Sequence, residues 1–324
     1  MIKIFLEDGD PASTTWAPLY EGVVSNDRVM MVNSMDDADY CIFHFQGPSW
    51  KYFQRSEDWP DPTLWEMGYP NASSIPLEKT IYVDCNDSTE LMHDHEVKLY
   101  LKRSMVSLLG KDGTRIKREY PEYVKPFSHT CVLNDLKNQT SSFNKDRQYD
   151  VISTFREFDG PLHAASSARG SASDFHADSN RFRIQLQNVL KTAFPFYCTS
   201  FKEFNDSGSG DFETSYINHL KNSKIIVTMN PADWEGDNRL YESLACGAMV
   251  FCDQLYVDIP DKFIDGKHLI YYNAVDVDTL CEQILYYLEH QDELNKIARA
   301  GYEFVHQFHS PSARIDQILN YLEV

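Results

Sequence analysis

The sequence predicts an α/β protein of two Rossmann-like domains facing each other over a cleft, with helices at the C-terminus. Three observations carry this expectation. Short β-prone runs ending in polar or turn residues recur in both halves. A polar stretch, NDLKNQTSSFNKDRQ (134–148), with few apolar anchors, separates those halves. The last third carries helical apolar spacing almost throughout. A chain of 324 residues suits two cores of about 150 residues better than one. The expected division is 1–146 and 147–324.

In the first half, MIKIFL reads as a buried strand running into the acidic loop EDGDPAS. ADYCIFHF (38–45) and KTIYVDCND (79–87) read as parallel strands. EVKLYLKRSMVSLL (96–109) mixes apolar and basic residues at roughly helical spacing and is expected to be a helix. The stretch 46–78 is rich in Pro, Trp and Ser and reads as an irregular excursion. Its aromatic part, 48–69, is either a surface for stacking sugar rings or a satellite core.

The second half opens with the strand YDVISTF (149–155). A helix follows at RFRIQLQNVLKTA (181–193), with Ile184, Leu186, Val189 and Leu190 in its pattern. SKIIVTMNP (223–231) is a buried strand. A short helix over about 238–246, stopped by Gly247, leads into the strand AMVFCD (248–253). Leu280, Ile284, Tyr287 and Leu288 mark one later helix, and Leu294, Ile297, Ala298, Gly301 and Val305 the next. Ser310 caps a last helix, with Pro311 in its first turn and Ile315, Ile318, Leu319 and Leu322 as its apolar stripe.

Composition narrows the function. A net charge of −19 opposes broad contact with nucleic acid or anionic lipid, yet leaves room for a local basic pocket. Seven cysteines include no CxxC pair and no zinc spacing, so they read as buried reduced thiols. The HDHE run (93–96) spaces its imidazoles two apart, off a common helical face, and no metal site is expected. No signal-like segment or apolar run of membrane-spanning length occurs, and a cytoplasmic location is expected.

The densest signal is GDNRLYESLACGAMVFCDQ (236–254). Its helix begins near Asn238, at the carboxyl end of a strand, where α/β sheets bind ligands. A helix start offers unpaired N–H groups and a positive dipole end. Arg239 adds a guanidinium suited to phosphate oxygens, although a cation in the first turn slightly disfavours the helix itself. One turn on, Glu242 has the chemistry to accept two hydrogen bonds from ribose hydroxyls. Glu235 and Asp237 precede them in the loop. The alternative is an ordinary surface pair of Arg239 with Glu242, capped by Asp237.

NRLYESLACGAMVFCD, then FIDGKHLIYYN, then LCEQILYYLEHQDELNKIARAGYEFVHQFHSPSARIDQIL resemble the C-terminal half of group 1 glycosyltransferases, and most of all their spore-maturation CgeB-like branch. The likeness covers about 215–320 well and 149–214 loosely. It implies a GT-B fold, a nucleotide-sugar donor (UDP- or GDP-linked) held mainly by the second domain, a glycan or other hydroxyl acceptor held mainly by the first, no separate cofactor and no obligatory metal. Carried across, Glu242 would bind the ribose, and Arg239 and Arg156 the diphosphate. Glu235 and Glu242 are seven apart where many such enzymes have glutamates eight apart, so Asp237 competes with Glu235 for the sugar-contacting role.

Transfer to a hydroxyl calls for a proton acceptor. Glu7, Asp8 and Asp10 follow the first strand. Asp8 and Asp10 are candidate bases or plain turn acids. The DCND run (84–87) has the same two readings, and His129 is either catalytic or structural. The functions left open are a glycosyltransferase, a nucleotide-sugar 2-epimerase on the same fold, and a non-catalytic protein that binds glycans or nucleotides.

Overall fold

A computed structural model describes residues 1–11, 13, 15–45, 47, 75–85, 91–92, 95–105, 119–130, 147–154, 172–194, 198–199, 212–230 and 238–324. For 172–182, 198–199 and 212–215 it describes the backbone alone. The chain forms two compact units. Unit 1 is Met1–Val132 with Val257–Pro260 and His309–Val324, and unit 2 is Leu133–Tyr256 with Asp261–Phe308.

Unit 1 holds six parallel strands: β1 (Ile2–Leu6), β2 (Val29–Val32), β3 (Tyr40–His44), β4 (Thr80–Asp84), β5 (Leu99–Lys102) and β6 (Val124–Pro126). Their order is β2-β1-β3-β4-β5-β6. Every pairing is parallel. The apolar runs of β1, β3 and β4 are legible because a parallel sheet buries both faces. The segment expected to be a helix over 96–109 is instead β5 where it is described. Leu99, Tyr100, Leu101 and Lys102 are all buried, a continuous burial that suits a strand covered on both sides. Lys102 is tolerated there because its Nζ lies 2.9 Å from Asp84 Oδ2 on β4, with neither side chain exposed.

Helix α1 (Trp16–Ser25) covers part of this sheet. The last helix of the chain, α7 (Pro311–Tyr321), belongs to unit 1 and not with the helices that precede it in sequence. Its Ile315, Ile318 and Leu319 share one core with Ile4, Leu6, Ile42, Ile81 and Val83. Gly22 on α1 permits the approach, since a Cβ there would lie 2.5 Å from the Pro311 carbonyl oxygen. The expected cap is present: Ser310 Oγ accepts from the Ala313 N–H at 3.3 Å, with Pro311 in the first turn.

Unit 2 holds β7 (Tyr149–Ser153), β8 (Cys198–Thr199), β9 (Ser223–Thr228), β10 (Met249–Asp253) and β11 (Ile270–Tyr272). These too are all parallel, in the order β11-β10-β9-β7-β8. Around them are α2 (Ala172–Ala193), α3 (Phe212–Lys221), α4 (Asn238–Ala245), α5 (Val277–Glu289) and α6 (Gln291–Phe308). Leu186 and Leu190 of α2 join Ile225, Val227, Phe251 and Ile284 in the core, while Ile184 points outward. Gly247 ends α4 with φ at 71°, the left-handed conformation expected of a C-terminal glycine. On α6, Gly301 lies against β11's approach, where a Cβ would stand 2.2 Å from the His268 carbonyl oxygen.

Cys41, Cys85 and Cys252 are buried and, like Cys246 and Cys281, form no disulfide. The stretch 48–74 and most of the expected linker lie outside the described residues. Among the described residues no helix is long and apolar enough to cross a membrane.

Candidate active site

In each sheet the strand order reverses once. Parallel α/β sheets bind ligands beyond the carboxyl ends of the strands at that reversal. In unit 2 it falls between β7 and β9, which pair Ser153 with Val227. The chain then continues into Thr154 on one side and Thr228 on the other. Helix α4 presents Arg239 there: its Nη1 donates to the Thr154 carbonyl at 3.3 Å. The guanidinium is thus carried over the carboxyl edge of the sheet at its reversal, and Arg239 remains part-exposed. Asn238 shares the first turn and keeps its Oδ1 buried without a hydrogen-bond partner. Thr154 Oγ1 and Thr228 Oγ1 are likewise buried without a partner on the two adjoining strands.

Glu242 lies one turn further along α4 and is half-buried. Its Oε2 accepts from the Tyr216 hydroxyl of α3 at 2.8 Å, which orients the carboxylate. The structure therefore brings together Asn238, Arg239 and Glu242 on one short helix. Arg156, Glu235 and Asp237 lie outside the described residues.

In unit 1 the reversal falls between β1 and β3. Glu7 follows β1, and His44 ends β3. Both are buried, and both converge on Gly47. A Cβ on Gly47 would lie 2.1 Å from Glu7 Oε2 and 3.1 Å from His44 Nε2. His44 Nδ1 lies 3.3 Å from the Phe45 carbonyl, and Nε2 is buried without a partner. Burial lowers the ring's pKa below its ordinary value, only partly opposed by hydrogen bonds to backbone groups of Phe45 and Asp8. The sequence hid His44 because a histidine inside an apolar run reads as core. The reversal of strand order alone distinguishes it.

Asp8 and Asp10, just beyond Glu7, are exposed. The Asp10 carbonyl accepts from the Ser13 N–H at 2.8 Å, a turn that closes the loop. Trp16 braces the same loop, donating from Nε1 to the Glu7 carbonyl at 2.8 Å with its indole packed on Gly9. His129 is buried with its Nε2 against the Arg103 guanidinium. Asp84 is engaged by Lys102 and by the Tyr100 hydroxyl at 2.5 Å, an arrangement that serves the core and gives no base for substrate. Among the described residues no three His, Cys, Asp or Glu side chains are grouped to hold a metal ion.

Residues 183–320 match the family described as Glycosyl transferase-like. No curated protein matches the chain in sequence. Among solved structures, HepE of Anabaena in complex with UDP-glucose is similar at 11% identity and a TM-score of 0.53, with both chains covered in full. An α-glucosyltransferase in complex with UDP and a 13-mer DNA is similar at 10% identity and a TM-score of 0.55, covering all of this chain and 99% of that one. The chain also covers 58% of TarM, at 10% identity and a TM-score of 0.48. The fold is that of the GT-B glycosyltransferases. The family match over residues 183–320 and the fold of the whole chain thus point to the same type of protein.

Proposed function

We propose that the protein transfers a sugar from a UDP- or GDP-linked donor to the hydroxyl of a glycan or other small acceptor. One observation carries this reading: Arg239 stands at the start of α4, over the strand ends at the reversal of the second sheet. Phosphate oxygens fit that place because a helix N-terminus and a guanidinium both favour negative charge. The same groups would offset the charge of the departing diphosphate, so no metal is assigned to the reaction. Glu242 takes the ribose hydroxyls, Asn238 and Arg156 assist at the diphosphate, and Glu235 or Asp237 contacts the sugar. On the acceptor side, exposed Asp8 and Asp10 are better placed to meet a substrate proton than buried His129. The resemblance to CgeB-like proteins is part of this reading.

HepE with UDP-glucose and the α-glucosyltransferase with UDP support a nucleotide-sugar donor. The second of these is bound to DNA. A net charge of −19 opposes a polyanionic acceptor here and favours a neutral one. The test is to incubate the protein with UDP-, GDP-, ADP- and dTDP-sugars, without and with simple sugar acceptors. Release of nucleoside diphosphate with sugar on the acceptor is the expected result. An isomerised donor without transfer would instead indicate an epimerase, and neither turnover nor binding would refute the proposal.

A further inference from the structure

The exit of β9 is held by side chains from three other elements. The Tyr272 hydroxyl, from β11, donates to the Thr228 carbonyl at 3.0 Å. Arg183 Nη2, from α2, donates to the Asn230 carbonyl at 2.6 Å and to the Met229 carbonyl at 3.4 Å. Asp253, ending β10, accepts the Asn230 N–H through Oδ1 at 2.8 Å. Arg183 is only 2% exposed. A guanidinium is costly to bury. Leu186 and Leu190, on the same helix, meet the needs of packing at no such cost. What Arg183 adds is direction, because it grips two successive carbonyls where the strand ends.

That grip bears on α4 through the backbone. Thr154 N–H donates to the Val227 carbonyl of β9 at 3.2 Å, and the Thr154 carbonyl receives Arg239. The end of β9 and the seat of Arg239 are therefore tied. We infer that Arg183 is a positioning residue for the donor site: by fixing the Met229 and Asn230 carbonyls it holds the exit of β9, to which the Thr154 backbone that receives Arg239 is hydrogen-bonded. The inference rests on the proposed nucleotide-sugar reading. Asp253 holds the same exit from the opposite side.

The test measures binding of UDP-, GDP-, ADP- and dTDP-glucose by calorimetry, with melting temperature as a parallel readout, for wild type, Arg183→Ala, Arg183→Lys and Asp253→Ala. Guanidinium chloride, well below denaturing concentration, is added to Arg183→Ala. The expected result is a loss of donor affinity of about tenfold to a hundredfold in Arg183→Ala, within the usual range for coupling between linked positions. Guanidinium should restore the affinity without raising the melting temperature, which simple loss of packing would not allow. Arg183→Lys, which keeps the charge and loses the fork, should fall between. A folded Arg183→Ala that binds as wild type does overturns the inference and leaves the transferase reading standing. If Arg183→Ala does not fold, wild-type affinity in both Arg183→Lys and Asp253→Ala overturns it. A wild type that binds none of these sugars refutes the transferase reading and takes the inference with it.

Discussion

Arg239 and Thr154 meet at 3.3 Å, a guanidinium donating to a backbone carbonyl across the point where the order of the second sheet reverses. Such a bond aims a side chain without burying it. Loss of this bond in Arg239→Ala should therefore cost only about 0.5–1.5 kcal/mol of stability, because the side chain is part-exposed. Chemical denaturation of the two proteins checks this. A large loss of stability would make Arg239 a structural residue.

Glu242 and Tyr216 form a second relationship on the same helix. If the carboxylate binds ribose, Glu242→Ala should weaken UDP or GDP while leaving inorganic pyrophosphate nearly unaffected. Tyr216→Phe removes only the hydroxyl that orients Oε2 and should weaken the nucleotide by less. Titration calorimetry with both ligands separates these outcomes, and equal losses for nucleotide and pyrophosphate in Glu242→Ala would remove the ribose assignment.

The Asp84–Lys102 pair predicts a purely structural effect. Both side chains are fully buried, and removing Lys102 takes the ammonium at 2.9 Å from the buried Asp84 carboxylate, although the Tyr100 hydroxyl still donates to it. Lys102→Met should cost about 3–5 kcal/mol of stability. The double variant Lys102→Met with Asp84→Asn should recover part of the loss. Urea unfolding measures both.

His44 predicts a dependence on pH. Burial lowers its folded pKa, so the unfolded chain, titrating near about 6.5, binds the proton more readily. Stability is greatest above about 6.5 and declines as pH falls from there through the folded value. His44→Gln should flatten this decline. His268, also lowered by burial and by Lys267, should leave a residual slope of the same sign. Melting temperatures between neutral and mildly acidic pH test the difference.

Much of this architecture is legible in the sequence. The strand runs beginning at Ile2, Tyr40, Thr80, Tyr149, Ser223 and Met249 stand out because burial on both faces leaves uninterrupted apolar segments. Asn238, Arg239 and Glu242 are visible because their spacing places them on one helix. Leu99–Lys102 misleads, since a lysine within an apolar run imitates an amphipathic helix until Asp84 on the neighbouring strand accounts for it. The return of α7 to the first unit is equally hidden, because its stripe of Ile315, Ile318 and Leu319 says that it packs and not against what. Arg183 is invisible for the same reason: its grip on the Met229 and Asn230 carbonyls depends on a strand end brought near by topology.

The most direct measurement is the affinity of wild type and Arg239→Ala for UDP- and GDP-sugars by titration calorimetry. Wild type should bind at least one of them, and Arg239→Ala should lose roughly 1.5–3 kcal/mol of that affinity, the worth of a hydrogen bond to a charged group. Undiminished affinity in a folded Arg239→Ala would contradict a diphosphate seat at the start of α4.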